Sequence, residues 1–150
     1  RAFSNIRNSM ISGGDLIFVC WSSLQENEFF SCPLNIALKF TDGKFVSQGK
    51  SPGPLAFSDK DYLYHILKSS GFINVEIEKI STTIVTRDSP EQDAKFLMNV
   101  GFAARMIREA NLNYNNRREM SKNFLIESTS RQLGGEIVYG VSVFLVKAKN

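Results

Sequence analysis

Ser12-Gly13-Gly14-Asp15-Leu16-Ile17-Phe18-Val19-Cys20-Trp21 decides the fold of this 150-residue chain. Two glycines after a helical pattern supply the left-handed backbone of a helix stop. The apolar run behind them is too short, and too rich in β-branched and aromatic residues, for a helix of its own. It reads as a strand, Leu16 to Trp21, buried on both faces as in the parallel sheets of α/β proteins. Polar side chains resume after Trp21, which places it near the carboxyl end of the strand. Open α/β sheets bind ligands outside that end.

On the amino-terminal side, Phe3, Ile6, Met10 and Ile11 recur at helical spacing, with Asn5, Arg7 and Asn8 opposite them. On the other side, a polar loop precedes Phe29 and Phe30, and Pro33 suits the first turn of a short helix around Leu34 to Phe40. Thr41 to Lys44 reads as a turn, and Ser47 to Pro54 as a loop over the sheet. Ser58 with Asp61 gives a capping-box signal for a helix that buries Tyr62, Leu63, Ile66 and Leu67 and stops at Gly71. Ile73 to Glu78 alternates strictly, which predicts a half-exposed edge strand. Ser89, Pro90 and Gln92 form a second cap, opening a helix to about Ala110 that Gly101 weakens or breaks. A further helix runs to about Leu133, where Gly134-Gly135 stop it. Ile137 to Ala148 is long and nearly all apolar, and fits a central strand.

The length suits one domain over residues 1–150 with a single core. An apolar content of 43% and a charged content of 22% are ordinary for a soluble globular protein. No apolar run is long enough to span a bilayer, and no charged-then-apolar leader pattern opens the sequence, so a cytoplasmic location and no membrane partner are expected. The net charge of +3 is weak, and Glu109 and Glu119 interleave the basic cluster Arg105, Arg108, Arg117, Arg118 and Lys122. That pattern is a solvated helix face and argues against a nucleic-acid partner. Cys20 and Cys32 make no metal-like cluster and read as free thiols, so no metal is expected.

Four stretches together resemble the carboxyl-terminal half of a class I S-adenosylmethionine-dependent methyltransferase, of the small-molecule, ubiquinone/menaquinone-biosynthesis type. Ala2 to Met10 looks like the helix before that family's fifth strand, and Gly13 to Trp21 like the glycine turn and the strand itself, with Ser12 where proline is usual. Pro52 to Asp59, followed by Leu67 to Phe72, resembles the loop, helix and glycine-aromatic turn before the sixth strand. The closing strand resembles the seventh, which in this fold inserts antiparallel between the fifth and sixth. The resemblance implies a partial Rossmann-like α/β fold: a three-stranded mixed sheet with its last strand central, flanking helices, and a helical lid at about 89–133. It also implies S-adenosylmethionine as cofactor of the intact protein. The family's glycine-rich cofactor loop belongs to the preceding half, and this sequence contains no G-x-G-x-G. The chain alone is therefore expected to lack the cofactor site and to be inactive.

What remains by resemblance is the substrate side, where Trp21, Asn27, Phe29, Phe30 and Phe57 would face the transferable methyl group of a small-molecule acceptor. Aromatic walls suit a sulfonium cation and a flat or apolar acceptor. Arg105, with Arg108, would meet an anionic acceptor from the lid. The bland readings stand beside these: core packing for the aromatics, a turn for Asn27, a surface pair with Glu109 for Arg105. Without a neighbouring fourth strand, Leu16 to Trp21 is a bare apolar edge, which predicts a homodimer through a continuous sheet. The alternative function is a non-enzymatic α/β module that dimerises or binds an apolar ligand.

Overall fold

The computed structural model describes residues 1–41 and 52–150. In chain order these form α1 (Ala2–Asn8), β1 (Asp15–Trp21), a single 3-10 turn (Leu24–Glu26), α2 (Glu28–Leu38), α3 (Lys60–Ser69), β2 (Ile73–Thr86), α4 (Pro90–Asn99), α5 (Gly101–Glu109), α6 (Tyr114–Ser130), β3 (Gln132–Leu133) and β4 (Glu136–Lys149). The sheet runs β1-β4-β2, with β3 paired to β4. The closing strand is thus central and antiparallel to β1, as the resemblance implied. The two-residue β3 is an addition to the three expected strands. The turn at Thr41 to Lys44 and most of the loop at Ser47 to Pro54 lie outside the described residues.

The chain divides into two compact units. The first comprises Arg1–Leu24, Gln48–Thr82 and Ser142–Asn150. Its core is Phe3, Leu63, Leu67, Phe72, Phe144, Val146 and Ala148, with Leu16, Phe18 and Cys20 packed against it. The β1–β4 register explains the choice: Leu16 faces Ala148, Phe18 faces Val146 and Cys20 faces Phe144, so one side of the pleat carries the core. The other side carries Ile17 opposite Lys147 and Val19 opposite Leu145. Ile17 and Val19 are 61% and 59% exposed. This corrects the reading of a strand buried on both faces. A continuous apolar run cannot by itself distinguish two covered faces from one.

The glycines are also corrected. Helix α1 ends at Asn8 with Ser9 as its cap, leaving Ile11 exposed. Gly13 and Gly14 instead start the sheet ladder: the Gly13 N–H donates to the Asn150 carbonyl, and Asn150 N–H to that of Gly14. In α3 the cap is Asp59, accepting from the Tyr62 N–H at 3.0 Å, and not Ser58. Gly71 ends that helix with φ +91°, as expected. Strand β2 continues to Thr86, well beyond the predicted alternation.

The second unit comprises Gln25–Ser47 and Thr83–Val141. Helix α2 begins at Glu28, so Pro33 lies inside it and removes one helical donor instead of opening the first turn. Helix α4 carries the full Ser89–Gln92 capping box. The predicted helix to Ala110 breaks where Val100 turns extended and Gly101 takes φ +81°. Two helices result, with α2 packing on α5 and α6, and α4 on both as well. Gly134 and Gly135 stop no helix. They are the two left-handed residues, φ +59° and +87°, of the β3–β4 hairpin, in which Leu133 pairs with Glu136.

Candidate functional site

The second unit gathers the greatest density of chemistry. Asn27 precedes α2 and is fully buried, its carbonyl accepting from the N–H groups of Phe30 and Ser31. The rings of Phe29 and Phe30 reach Phe96 on α4, Phe102 on α5 and Tyr139 on β4. Phe29 meets Tyr139 edge-on at 5.8 Å between ring centroids, Phe30 at 5.3 Å and Phe96 at 6.3 Å. Phe30 meets Phe102 at 5.6 Å. An aromatic row thus runs from the half-exposed Phe96 of α4 through α2 to α5 and the inner face of β4.

Two polar networks border that row. The Asp93 carboxylate, buried on α4, accepts from the Tyr139 hydroxyl and from the Ser128 hydroxyl, each at 2.6 Å. Burial first, then the neighbouring Asp93, pushes the Tyr139 phenol well above its ordinary pKa. On the other side Arg131 donates through Nε to Glu127 at 2.7 Å, through Nη1 to Glu28 at 2.8 Å and through Nη2 to the Cys32 sulfur at 2.9 Å. Its guanidinium lies 4.8 Å over the Tyr139 ring. Glu28 also accepts the Gly140 N–H at 2.7 Å. Burial opposes the Arg131 charge, and the Glu28 and Glu127 hydrogen bonds outweigh it, raising its pKa. The Arg131 hydrogen bond lowers that of Glu28. Cys32 moves the other way, because burial of the thiol outweighs the nearby guanidinium.

The depressed Glu28 pKa fixes a sign. Its stabilising contribution is complete above the ordinary glutamate range, about pH 4.3, and is lost as the pH falls through the lower folded-state value. Thermal unfolding followed between about pH 3 and 7 is therefore expected to show the wild type converging on Glu28→Gln at the acid end. Curves that stay parallel over that range would contradict the assignment.

The remaining candidate residues lie elsewhere. Arg105 is exposed on α5 and pairs with Glu109 at 2.9 Å, a solvent-screened surface contact. In the first unit, the Phe57 ring packs against Phe3 at 5.5 Å, and its carbonyl accepts a long 4.0 Å contact from the Cys20 thiol. Burial pushes that thiol up to about 11, which keeps it protonated at neutral pH. Trp21 ends β1 half-buried, opposite Val143 on the uncovered side of the pleat. The structure therefore brings Asn27, Phe29 and Phe30 together, and sets Trp21 and Phe57 in the other unit. Local patterning missed Asp93, Phe96, Phe102, Arg131 and Tyr139. Each has a partner far along the chain, and helix or strand periodicity carries no trace of such pairing.

Among the described residues, no three His, Cys, Asp or Glu side chains are grouped as a metal site would need. No described helix is long and apolar enough to cross a membrane. No protein-family model matches the sequence, and no curated protein is similar to it. Among solved structures, the chain is similar to a Bacillus halodurans C-125 protein described as a candidate methyltransferase, at 17% identity, a TM-score of 0.40 and coverage of 98% of this chain. The chain spans about half of that protein's length, 55%.

Proposed function

We propose that this chain is the substrate-side part of a class I S-adenosylmethionine-dependent methyltransferase acting on a small-molecule acceptor. The observation that carries the reading is topological: the closing strand β4 lies between β1 and β2 and runs antiparallel to β1. Supporting it, the segment after β1 and the helices inserted between β2 and β4 fall in the same compact unit. By the resemblance, those are the two segments that close over the acceptor. Phe29, Phe30 and the exposed edge of Phe96 offer an aromatic wall, Asn27 fixes the start of α2 behind it, and Trp21, Phe57 and Arg105 stand as further acceptor-side candidates. Transfer of a methyl group asks chiefly for alignment and exclusion of water, and an aromatic wall serves both.

Among the described residues, the glycines that follow or precede strands and helices do not form a cofactor cradle. Gly13, Gly14 and Gly71 donate their N–H groups to the Asn150, Ile11 and Lys68 carbonyls, and Gly134-Gly135 close a hairpin. The cofactor loop therefore belongs, in this proposal, to sequence preceding Arg1. Two experiments test it. The gene upstream of Arg1 is expected to encode a strand followed by a glycine-rich loop, and a start codon at that point would favour the non-enzymatic module. Calorimetric titration with S-adenosylhomocysteine is expected to show no saturable binding to these 150 residues and saturable binding once the upstream segment is restored.

The same proposal includes self-association of the isolated chain. In the β1–β4 ladder, Ser22 N–H bonds to Ser142 and Asn150 N–H to Gly14, so even-numbered β1 positions face β4. Ile17 and Val19 turn their backbone groups to the outer edge. An antiparallel pairing centred on Phe18 sets Ile17 of one copy against Val19 of the other and joins two uncovered apolar faces. Light scattering is expected to give a dimer that Val19→Lys converts to monomer. A monodisperse wild-type monomer would refute the pairing.

A further inference from the structure

We propose a small-oxyanion site in the first unit, centred on Arg7 and independent of the methyl-transfer reading. A cleft of about 540 Å³ is lined by Arg7, Asn8, Met10, Ser12, Gly71 and Ile73 together with Asn150. Its wall contains one cation, several neutral hydrogen-bonding groups and no carboxylate side chain.

Three observations point to an anion. First, the Arg7 guanidinium is held by shape and not by a counter-charge: among the described residues no ion pair or side-chain hydrogen bond engages it, and its buried Nε has no acceptor. A guanidinium without a counter-charge keeps its charge for a carboxylate or phosphate that its Nη nitrogens can reach. Second, Gly71 makes the bed on which it lies. A Cβ at position 71 would come within 2.8 Å of Nη1 and 2.9 Å of Cζ, so any larger residue would push the guanidinium off this wall. Third, the carbonyls nearest this cation are partly engaged, sharing the two hydrogens of one amide. The Asn150 side-chain amide donates to the carbonyls of Arg7, Met10 and Ile11 at 3.3, 3.2 and 3.1 Å. The ligand class is a small molecule bearing a carboxylate or phosphate group.

The test titrates 15N-labelled protein with sodium phosphate and, separately, sodium citrate, holding ionic strength constant with chloride and following the Gly71 amide. A saturable shift with either anion is expected: phosphate alone assigns a phosphoryl ligand, citrate alone a carboxylate. Arg7→Gln is expected to weaken binding about tenfold, the scale of one lost charge-assisted hydrogen bond. Should that variant unfold, Asn8→Asp decides, since it places a carboxylate beside the exposed rim without touching the core. A several-fold loss of affinity in Asn8→Asp supports the site. Linear, non-saturating shifts with both anions, or an affinity unchanged by Asn8→Asp, overturn it.

Discussion

Asp93→Ala is expected to lower the stability of the second unit by about 4 kcal/mol, because it strands two buried hydroxyls, each costing about 1–3 kcal/mol when left without a partner. The Asp93 carboxylate is 3% exposed and accepts from both Ser128 and Tyr139. One side chain therefore joins α4 to α6 and to β4. Asp93→Asn keeps an acceptor of the same shape and is expected to lose about half as much. Tyr139→Phe and Ser128→Ala each remove one donor and leave Asp93 the other, so each is expected to cost about 1–2 kcal/mol. Denaturant unfolding followed by circular dichroism measures all four. The cycle between Asp93→Ala and Tyr139→Phe should show strong coupling, since the two share one hydrogen bond. Additive effects, or an Asp93→Ala loss below about 1 kcal/mol, would show that the triad does not carry the packing of these elements.

Arg131→Met is the second large effect, expected at about 2–3 kcal/mol. The side chain is 16% exposed and holds Glu127 and Glu28 by separate nitrogens of one rigid plane. Glu28 is nearly half exposed, so water recovers part of what its ion pair loses, which keeps the estimate below that of a fully buried pair. Methionine retains apolar contact with the Tyr139 ring and isolates the loss of the fork from the loss of packing. Arg131→Lys restores the charge but bonds as a point, and is expected to recover less than half of the loss. Full recovery by lysine would mean that charge alone, without planar geometry, holds α2 against the end of α6.

Much of the scaffold was legible in residue order because it rests on local chemistry. The Ser89–Gln92 box, the Gly71 stop and the central apolar strand each follow from neighbours within a few positions or from simple periodicity. Two local signals misled for a stated reason. A run such as Leu16 to Trp21 satisfies both a two-sided and a one-sided strand, and only the β4 partner shows which alternate residues meet helices. Paired glycines satisfy a helix stop, a ladder start and a hairpin alike; Gly13-Gly14 and Gly134-Gly135 proved to be the second and third. Among the candidate site residues, Asn27, Phe29 and Phe30 fall together because they adjoin one helix start. Trp21 is set by the β1–β4 register, and Phe57 by packing on Phe3, both in the other unit.

The sequence by itself determined that helices and strands follow one another in a mixed α/β order and that the last strand would be central, but not every boundary between them. Tertiary structure alone decided which polar groups share a hydrogen bond: Arg131 with Glu28, Tyr139 with Asp93. Periodicity records which face of an element is apolar, a property of single residues. A buried hydrogen bond is a property of a pair brought together by the whole fold, and it is specified only once the chain has closed around it.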